Sequence, residues 1–238
     1  MTAQSQTFTP EGTSNLRDQL GVLGYDLGSR AIFAPLGGID GLRERTLDAL
    51  DIRPGNSVLE LGCGSGGLTE KLIRRGASVL GVDQSEGMLR RAVRRAPPAT
   101  LVHADILEYE CAQKFDRVLI AFVLHHMNAE ARFSTLTLAR NALKPEGLVG
   151  VLDWTKPDAA ALRWGLYGLL TVVEPRSALD WIESDCDSYL RQADLVCIES
   201  HTLARGVTKV VIIKIHTCNN YGTSTRKVDT ESFCSTAN

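Results

Sequence analysis

The stretch Val58–Thr69, VLELGCGSGGLT, constrains this chain more than any other. Val58, Leu59 and Leu61 surround a single acid, Glu60, and run into Gly62-Cys63-Gly64-Ser65-Gly66-Gly67, after which Leu68 opens an amphipathic segment. An apolar run, a glycine cluster and an amphipathic start predict a buried strand, a tight turn and a helix. Glycine suits the turn because it reaches φ values that a Cβ forbids and lets a ligand approach the main chain closely. The helix start beyond it offers N–H groups that have no partner within the helix. Roughly twenty residues further on, a second strand-like run, Ala77–Val82, ends at Asp83 and Gln84. A carboxylate at that strand end can accept hydrogen bonds from both hydroxyls of a ribose. Strand, turn, helix, second strand and acid in this order predict a nucleoside-binding α/β domain.

The nucleoside itself is less constrained. Gly62, Gly64 and Gly67 satisfy G-x-G-x-x-G, so a nicotinamide or flavin dinucleotide stays open on that string. Glu60 weighs against it. A carboxylate two residues before the first glycine suits a ligand with a positive charge or an ammonium group, and it repels a pyrophosphate in a low-dielectric cleft.

The stretch Glu60-Leu-Gly-Cys-Gly-Ser-Gly resembles motif I of class I S-adenosylmethionine (SAM)-dependent methyltransferases, and Asp83 resembles their ribose-binding acid. The resemblance runs from about Tyr25 to about Ile215. It implies that SAM is the cofactor and that its methionine and ribose parts face Glu60, Gly62, Cys63, Gly64 and Gly66. It also implies that Asp83 meets the ribose, with Gln84 and Met88 beside the adenine. Asp105 and Ile106, after the third strand, are the residues expected at the adenine amino group. Ala121 and Phe122, at the end of the fourth strand, wall the sulfonium. Tyr25, in a Tyr-Asp pair upstream of the first strand, is a lid residue by the same resemblance, or else an aromatic plugging the core edge.

The alternation along the chain supports that fold. The expected elements are a helix near Leu42–Leu50 stopped by Pro54-Gly55, a helix Leu68–Arg75, a strand Ser78–Val82, a helix Glu86–Arg95 and a strand Thr100–Ala104. Then come a central strand Phe115–Leu124, a helix Ala129–Leu143 and a strand Leu148–Asp153. Strands alternating with helices call for a doubly wound parallel sheet. Ala159–Val173 and Ser177–Gln192 read as two further helices. Leu195–Ser200 and Val207–Ile215, with a turn at Arg205-Gly206, are too close for a helical crossover and must pair as an antiparallel hairpin. The expected architecture is a Rossmann-like, seven-stranded, mostly parallel sheet finished by that hairpin. This is the arrangement of the methyltransferases and not of the dinucleotide dehydrogenases. Three parts are expected: a flexible arm over 1–20, the SAM-dependent domain over 21–216 and a disordered polar tail over 217–238.

Composition narrows the function classes. A chain of 238 residues, 44% hydrophobic, is long enough for one sizeable core. With 26 basic against 28 acidic residues, it lacks the global positive field of a nucleic-acid binder. The strand-four position also reads Ala121-Phe122-Val123-Leu124, not the Asn-Pro-Pro-Tyr type of amino-methylating enzymes. Arg90, Arg91, Arg94 and Arg95 fit the solvated face of one helix, with an anionic surface as the other reading. The six cysteines have no CxxC and no metal spacing, so neither a metal nor a disulfide is expected. No signal pattern and no apolar run of membrane length is present, and reduced thiols in the cytoplasm are the expectation.

His125 and His126 follow strand four, where the methyl group is expected, and an oxygen or carbon nucleophile there needs its proton removed. They are the candidate catalytic pair, in a segment resembling the Leu-His-His stretch of ubiquinone and menaquinone methyltransferases. In that stretch the pair is often structural. His103 reads as a core residue, and Asp153-Trp154 as a weaker candidate pair at the pocket mouth. The apolar stretch Trp164–Val173 predicts a lipophilic acceptor of quinone, lipid or secondary-metabolite type, with peripheral membrane contact, or else a helix packed on the sheet or used for dimerisation. Two other classes remain. An NAD(P)-dependent oxidoreductase of the short-chain type requires Tyr-x-x-x-Lys, and no tyrosine here has lysine four residues on. A non-catalytic SAM-binding module would keep the same cofactor loop.

Overall fold

The computed structural model describes residues 7–10, 16–174 and 176–216, without the side chains of 16–23, 25 and 173. Its frame is a seven-stranded sheet in the order β3-β2-β1-β4-β5-β7-β6. The strands are β1 (Ser57–Leu61), β2 (Ser78–Asp83), β3 (Thr100–His103), β4 (Phe115–Ala121), β5 (Leu143–Trp154), β6 (Leu195–Leu203) and β7 (Thr208–Ile215). β1 to β5 pair in parallel, whereas β7 enters antiparallel between β5 and β6. Val58, Leu59, Leu61, Val118, Leu119 and Ile120 are at most barely exposed, as central parallel strands covered on both faces require. The strand order reverses between β1 and β4, which leaves a crevice beyond their carboxyl ends.

The helices follow their caps. Helix α1 (Leu16–Phe33) begins inside the segment expected as an arm, and α2 (Ile39–Ala49) precedes β1. Helix α3 (Gly67–Arg74) starts at Gly66, whose φ of 78° only glycine adopts without strain. Helix α4 (Glu86–Arg95) is capped by Ser85, whose hydroxyl accepts from the Met88 amide, and α5 (Ala129–Ala142) by Asn128, which accepts from Ala131. Thr7 bridges antiparallel to Val102, and the Phe8 amide donates to the Leu101 carbonyl at 2.6 Å. The tail expected over 217–238 lies outside the described residues.

Several boundaries moved for local reasons. β4 stops at Ala121 rather than Leu124, because Phe122 turns to φ 56° and Leu124–His126 close a 3₁₀ turn. The helix expected over Ser177–Gln192 is two, α7 (Ser177–Glu183) and α8 (Cys186–Gln192). Ser184 is extended there, and Asp185 starts the second helix by accepting from the Asp187 amide. Strand β6 reaches Leu203 after an irregularity between Cys197 and Glu199. β5 begins at Leu143, where a register shift lets Phe115 pair with it ahead of the main ladder. Helix α6 (Ala160–Val173) buries Leu166 and Leu170 and exposes Trp164 and Val172. No described helix is long and apolar enough to cross a membrane.

Candidate active site

A cavity of about 620 Å³ opens at the carboxyl ends of β1 to β4. Gly62, Gly64, Asp83, Gln84, Met88, Asp105, Ile106, Ala121, Phe122 and His126 all line it, so the fold brings together ten of the residues singled out from the sequence. Phe122, Val123, Met127 and Ala131 add an apolar wall on the His126 side.

Asp83 carries the polar end. Its Oδ2 accepts from the Gly64 amide at 2.7 Å and its Oδ1 from the Ser85 amide at 2.8 Å, so one carboxylate joins the glycine turn to the head of α4. Burial pushes its carboxyl upward, against the pull of those two amides. Each oxygen keeps a lone-pair direction free for a ligand hydroxyl. Asp105 accepts from the Leu107 amide at 2.9 Å, an Asx turn that still presents the residue to the cavity.

Four expected residues stand behind this wall. Glu60 is 2% exposed, and its Oε2 accepts from the Thr69 hydroxyl at 2.6 Å. Burial raises its carboxyl to about 8, the Thr69 hydroxyl and the Arg43 charge opposing. Cys63 packs with Leu89, Ala92 and Leu101 in a small cluster under α4, and burial pushes its thiol up, the opposite of a reactive cysteine. Gly66 faces α4, where a Cβ would stand 2.9 Å from Ala92 Cα. His125 is 1% exposed. The side chain of Tyr25 lies outside the described residues, so its lid role is untouched.

Two expectations are corrected by position. His103 is exposed, not in the core, with Nε2 2.9 Å from the Gln84 carbonyl. Arg91 and Arg95 are not simply solvated: Arg91 Nε lies 2.6 Å and Arg95 Nη2 3.2 Å from Asp26 Oδ2. Sequence reasoning named Asp26 only as the second half of the Tyr-Asp pair and assigned it nothing. The missing signal was an acid on α1 facing two arginines spaced one helical turn apart on α4.

The surroundings of the His125-His126 pair are built from three elements. His125 and His126 come from the 3₁₀ turn after β4, Asp153 from the end of β5 and Glu174 from the end of α6. His125 Nδ1 is 2.7 Å from Asp153 Oδ1, and its amide donates to Asp153 Oδ2 at 3.3 Å. Burial works against the imidazolium, but the charges of Asp153 and Glu174 outweigh it and raise His125 to about 9. His126 is shifted downward by burial and by the charge of His125. Trp154 stacks on Phe33 of α1, with centroids 5.3 Å apart and rings 9° from parallel, and Phe122 tilts against both. This aromatic trio closes the sheet end beside His125. Among the described residues of the stretch Trp164–Val173, none lines the cavity.

Fold and cavity together define a Rossmann-like α/β protein with an open cavity at the β1/β4 switch point, where such folds take their ligands. Comparison with known proteins narrows the class. Residues 58–147 match the methyltransferase-domain family. An uncharacterized methyltransferase of Synechocystis is 31% identical over 79% of this chain and 89% of its own length. A demethylmenaquinone methyltransferase of Beutenbergia cavernae is 31% identical over 71% of this chain and 75% of its own. Among solved structures, a TehB-like SAM-dependent methyltransferase from Corynebacterium glutamicum shares the fold at TM-score 0.62 and 18% identity, over 82% of this chain and 98% of that one. The chain belongs to the class I SAM-dependent methyltransferases. It is a transferase, and its cofactor is SAM.

Proposed function

We propose that this enzyme transfers the methyl group of SAM to a small, lipophilic acceptor of quinone type, and that the 620 Å³ cavity holds both reactants. The observation that carries the reading is a single cavity lined both by the carboxylates Asp83 and Asp105 and by the apolar Phe122, Val123, Met127 and Ala131. Asp83 takes the ribose hydroxyls, Gln84 and Met88 flank the adenine, and Asp105 with the Ile106 backbone meets its amino group. Gly62 and Gly64 allow the methionine portion close to the main chain, and Ala121 ends beside the sulfonium. Glu60, Cys63 and Gly66 act from behind, by holding the turn that carries those glycines.

The transfer is an in-line displacement. The acceptor's electron pair forms the new bond to the methyl carbon, the S–CH₃ electrons return to sulfur, and S-adenosylhomocysteine leaves. The sulfonium is already activated, so alignment and exclusion of water supply most of what the protein must add. His125 and His126 stand at the acceptor end, where the acceptor's proton has to be handled. The apolar wall suits a lipophilic ring, and the demethylmenaquinone methyltransferase relative supports a quinone-like acceptor. Exposed Trp164 and Val172 on α6 suit a peripheral contact with the lipid phase that holds such acceptors.

The test is thermal unfolding with S-adenosylhomocysteine, SAM, NAD⁺ and NADPH in parallel, followed by a methyl-transfer screen that begins with demethylated quinones. A ligand at a hundredfold excess over Kd adds about 2.7 kcal/mol, or roughly 2–4 °C for each kcal/mol in a domain of this size. The adenosyl compounds alone are expected to raise the midpoint, and Asp83→Ala to abolish the rise. Methyl transfer confined to polar acceptors would overturn the lipophilic assignment.

A further inference from the structure

The cluster at the acceptor end has the make-up of a metal site. Among the described residues, His125, His126 and Glu174 each offer one donor atom, and these atoms lie within 4.8 Å of one another. Glu174 Oε2 is 3.4 Å from His125 Nε2 and 3.7 Å from His126 Nδ1. A tetrahedral site with ligand bonds near 2.1 Å has edges of about 3.4 Å, so the carboxylate already stands at ligand spacing from both rings.

Two further features point inward. His125 Nε2 is buried yet makes no hydrogen bond, since Glu174 approaches it off the line along which a ring N–H points. On the other side of the same ring, Nδ1 meets Asp153 at 2.7 Å, and Asp153 is itself fixed by the amides of His125 and Trp154. A carboxylate that fixes one ring nitrogen and leaves the other for a cation is how metal-ligating histidines are oriented and made more basic. Asp153 and Glu174 also bring two carboxylates to a place with no lysine or arginine ion pair among the described residues. A divalent cation neutralises that pair.

We propose that His125 Nε2, His126 Nδ1 and a Glu174 oxygen bind one first-row divalent cation of the Zn²⁺ type, with Asp153 as the positioning residue behind His125. Two imidazoles and one carboxylate are a borderline donor set, suited to such ions rather than to Mg²⁺ or Ca²⁺. Three protein ligands leave a coordination position open. That position turns toward the cavity, because His126 is a cavity-lining residue with a half-exposed side chain. There an acceptor hydroxyl binds the cation through its oxygen and gives up its proton to water, so the cation takes over what a free imidazole base would do. The inference rests on the methyltransferase reading only for that last role; the site itself does not depend on it.

The experiment is a titration of metal-free protein with Zn²⁺ at fixed pH, run beside the S-adenosylhomocysteine melting assay, with Co²⁺ absorption as a second readout. Wild type is expected to bind one equivalent and to give the strong visible bands of four- or five-coordinate Co²⁺. Glu174→Gln and His126→Ala are the informative variants, since both side chains are partly exposed and their loss leaves the core packed. Each is expected to weaken binding by at least the 10–100-fold range that follows loss of an outer partner, while His201→Ala, at an exposed pair with Glu199 on β6, leaves it unchanged. No Zn²⁺ binding by wild type, or binding that persists in both variants, overturns the site. A melting response to S-adenosylhomocysteine without metal binding removes the metal and keeps the methyltransferase assignment; the reverse result does the opposite.

Discussion

Asp26 Oδ1 accepts a hydrogen bond from Ser65 Oγ at 2.7 Å, which ties helix α1 to the glycine turn. The other carboxylate oxygen meets Arg91 and Arg95 of α4, and Arg95 also donates to the Ser65 carbonyl at 3.1 Å. Three elements far apart in sequence are thus clasped around the glycine turn. Asp26 is buried, so its bonds are shielded from solvent competition.

Replacing Asp26 by alanine leaves two guanidinium groups and one hydroxyl without their shared partner. A hydrogen bond to a charged group is worth about 1.5–3 kcal/mol, and a loss of that size is expected in the unfolding free energy of Asp26→Ala, read from denaturant titration. Asp26→Asn keeps the Ser65 bond and loses the charge, so it is expected to fall between wild type and alanine. S-adenosylhomocysteine should bind both variants more weakly, because the turn is less fixed. A variant with wild-type stability and wild-type affinity would show that the clasp is incidental.

Gly66 has two reasons to be glycine. Its φ of 78° is left-handed, and a Cβ would sit 2.9 Å from the Ala92 backbone. The conformational cost alone is about 1–2 kcal/mol, and α4 has to shift in addition. Gly66→Ala is therefore expected to lower the melting midpoint by several degrees, at roughly 2–4 °C for each kcal/mol. Gly64 is also left-handed, with a φ of 53°, but has open space around its Cα, so Gly64→Ala carries the conformational cost without the clash. Melting both variants side by side separates the two causes, and equal midpoints would remove the close approach as a factor.

Glu60 makes the apo protein sensitive to pH. Burial raises its carboxyl from 4.5 to about 8 in the folded chain. Between those values the unfolded chain has lost the proton that the folded chain keeps, so stability falls as pH rises through that window and levels off above it. The slope from one such group is at most about 1.4 kcal/mol per pH unit. Glu60→Gln removes the titration and keeps an acceptor for the Thr69 hydroxyl. Its midpoint should match wild type near pH 4 and exceed it by a growing margin toward pH 8. Parallel pH curves for the two proteins would show that Glu60 ionises freely.

The residues legible in the sequence are those whose role is set by the chain next to them. The run Val58–Leu61, the glycines behind it and the acid Asp83 after β2 all stand where expected, because a buried strand, a left-handed turn and a strand end are local consequences of composition. The hairpin of β6 and β7 was legible from the short connection at Arg205-Gly206. The region after β4 was not. Val118–Leu124 is apolar throughout, so nothing in its pattern marks Phe122 as left-handed or separates strand from 3₁₀ turn. The break at Ser184-Asp185 was hidden in the same way, since a cap and a solvent-facing helix position use the same residue types.

The sequence by itself determined the doubly wound sheet, its antiparallel end, the glycine turn after β1 and the acid Asp83 at the end of β2, since hydrophobic periodicity and backbone sterics act over a few residues. Only the tertiary structure decided that Glu60 and His125 stand behind the cavity while His126 lines it, and that Arg91 and Arg95 turn inward to Asp26. Only it brought Asp153 and Glu174 to the histidine pair. These are pairings between side chains separated by tens of residues. Their geometry is fixed when helices pack on the sheet and bring each buried charge within reach of partners from other elements.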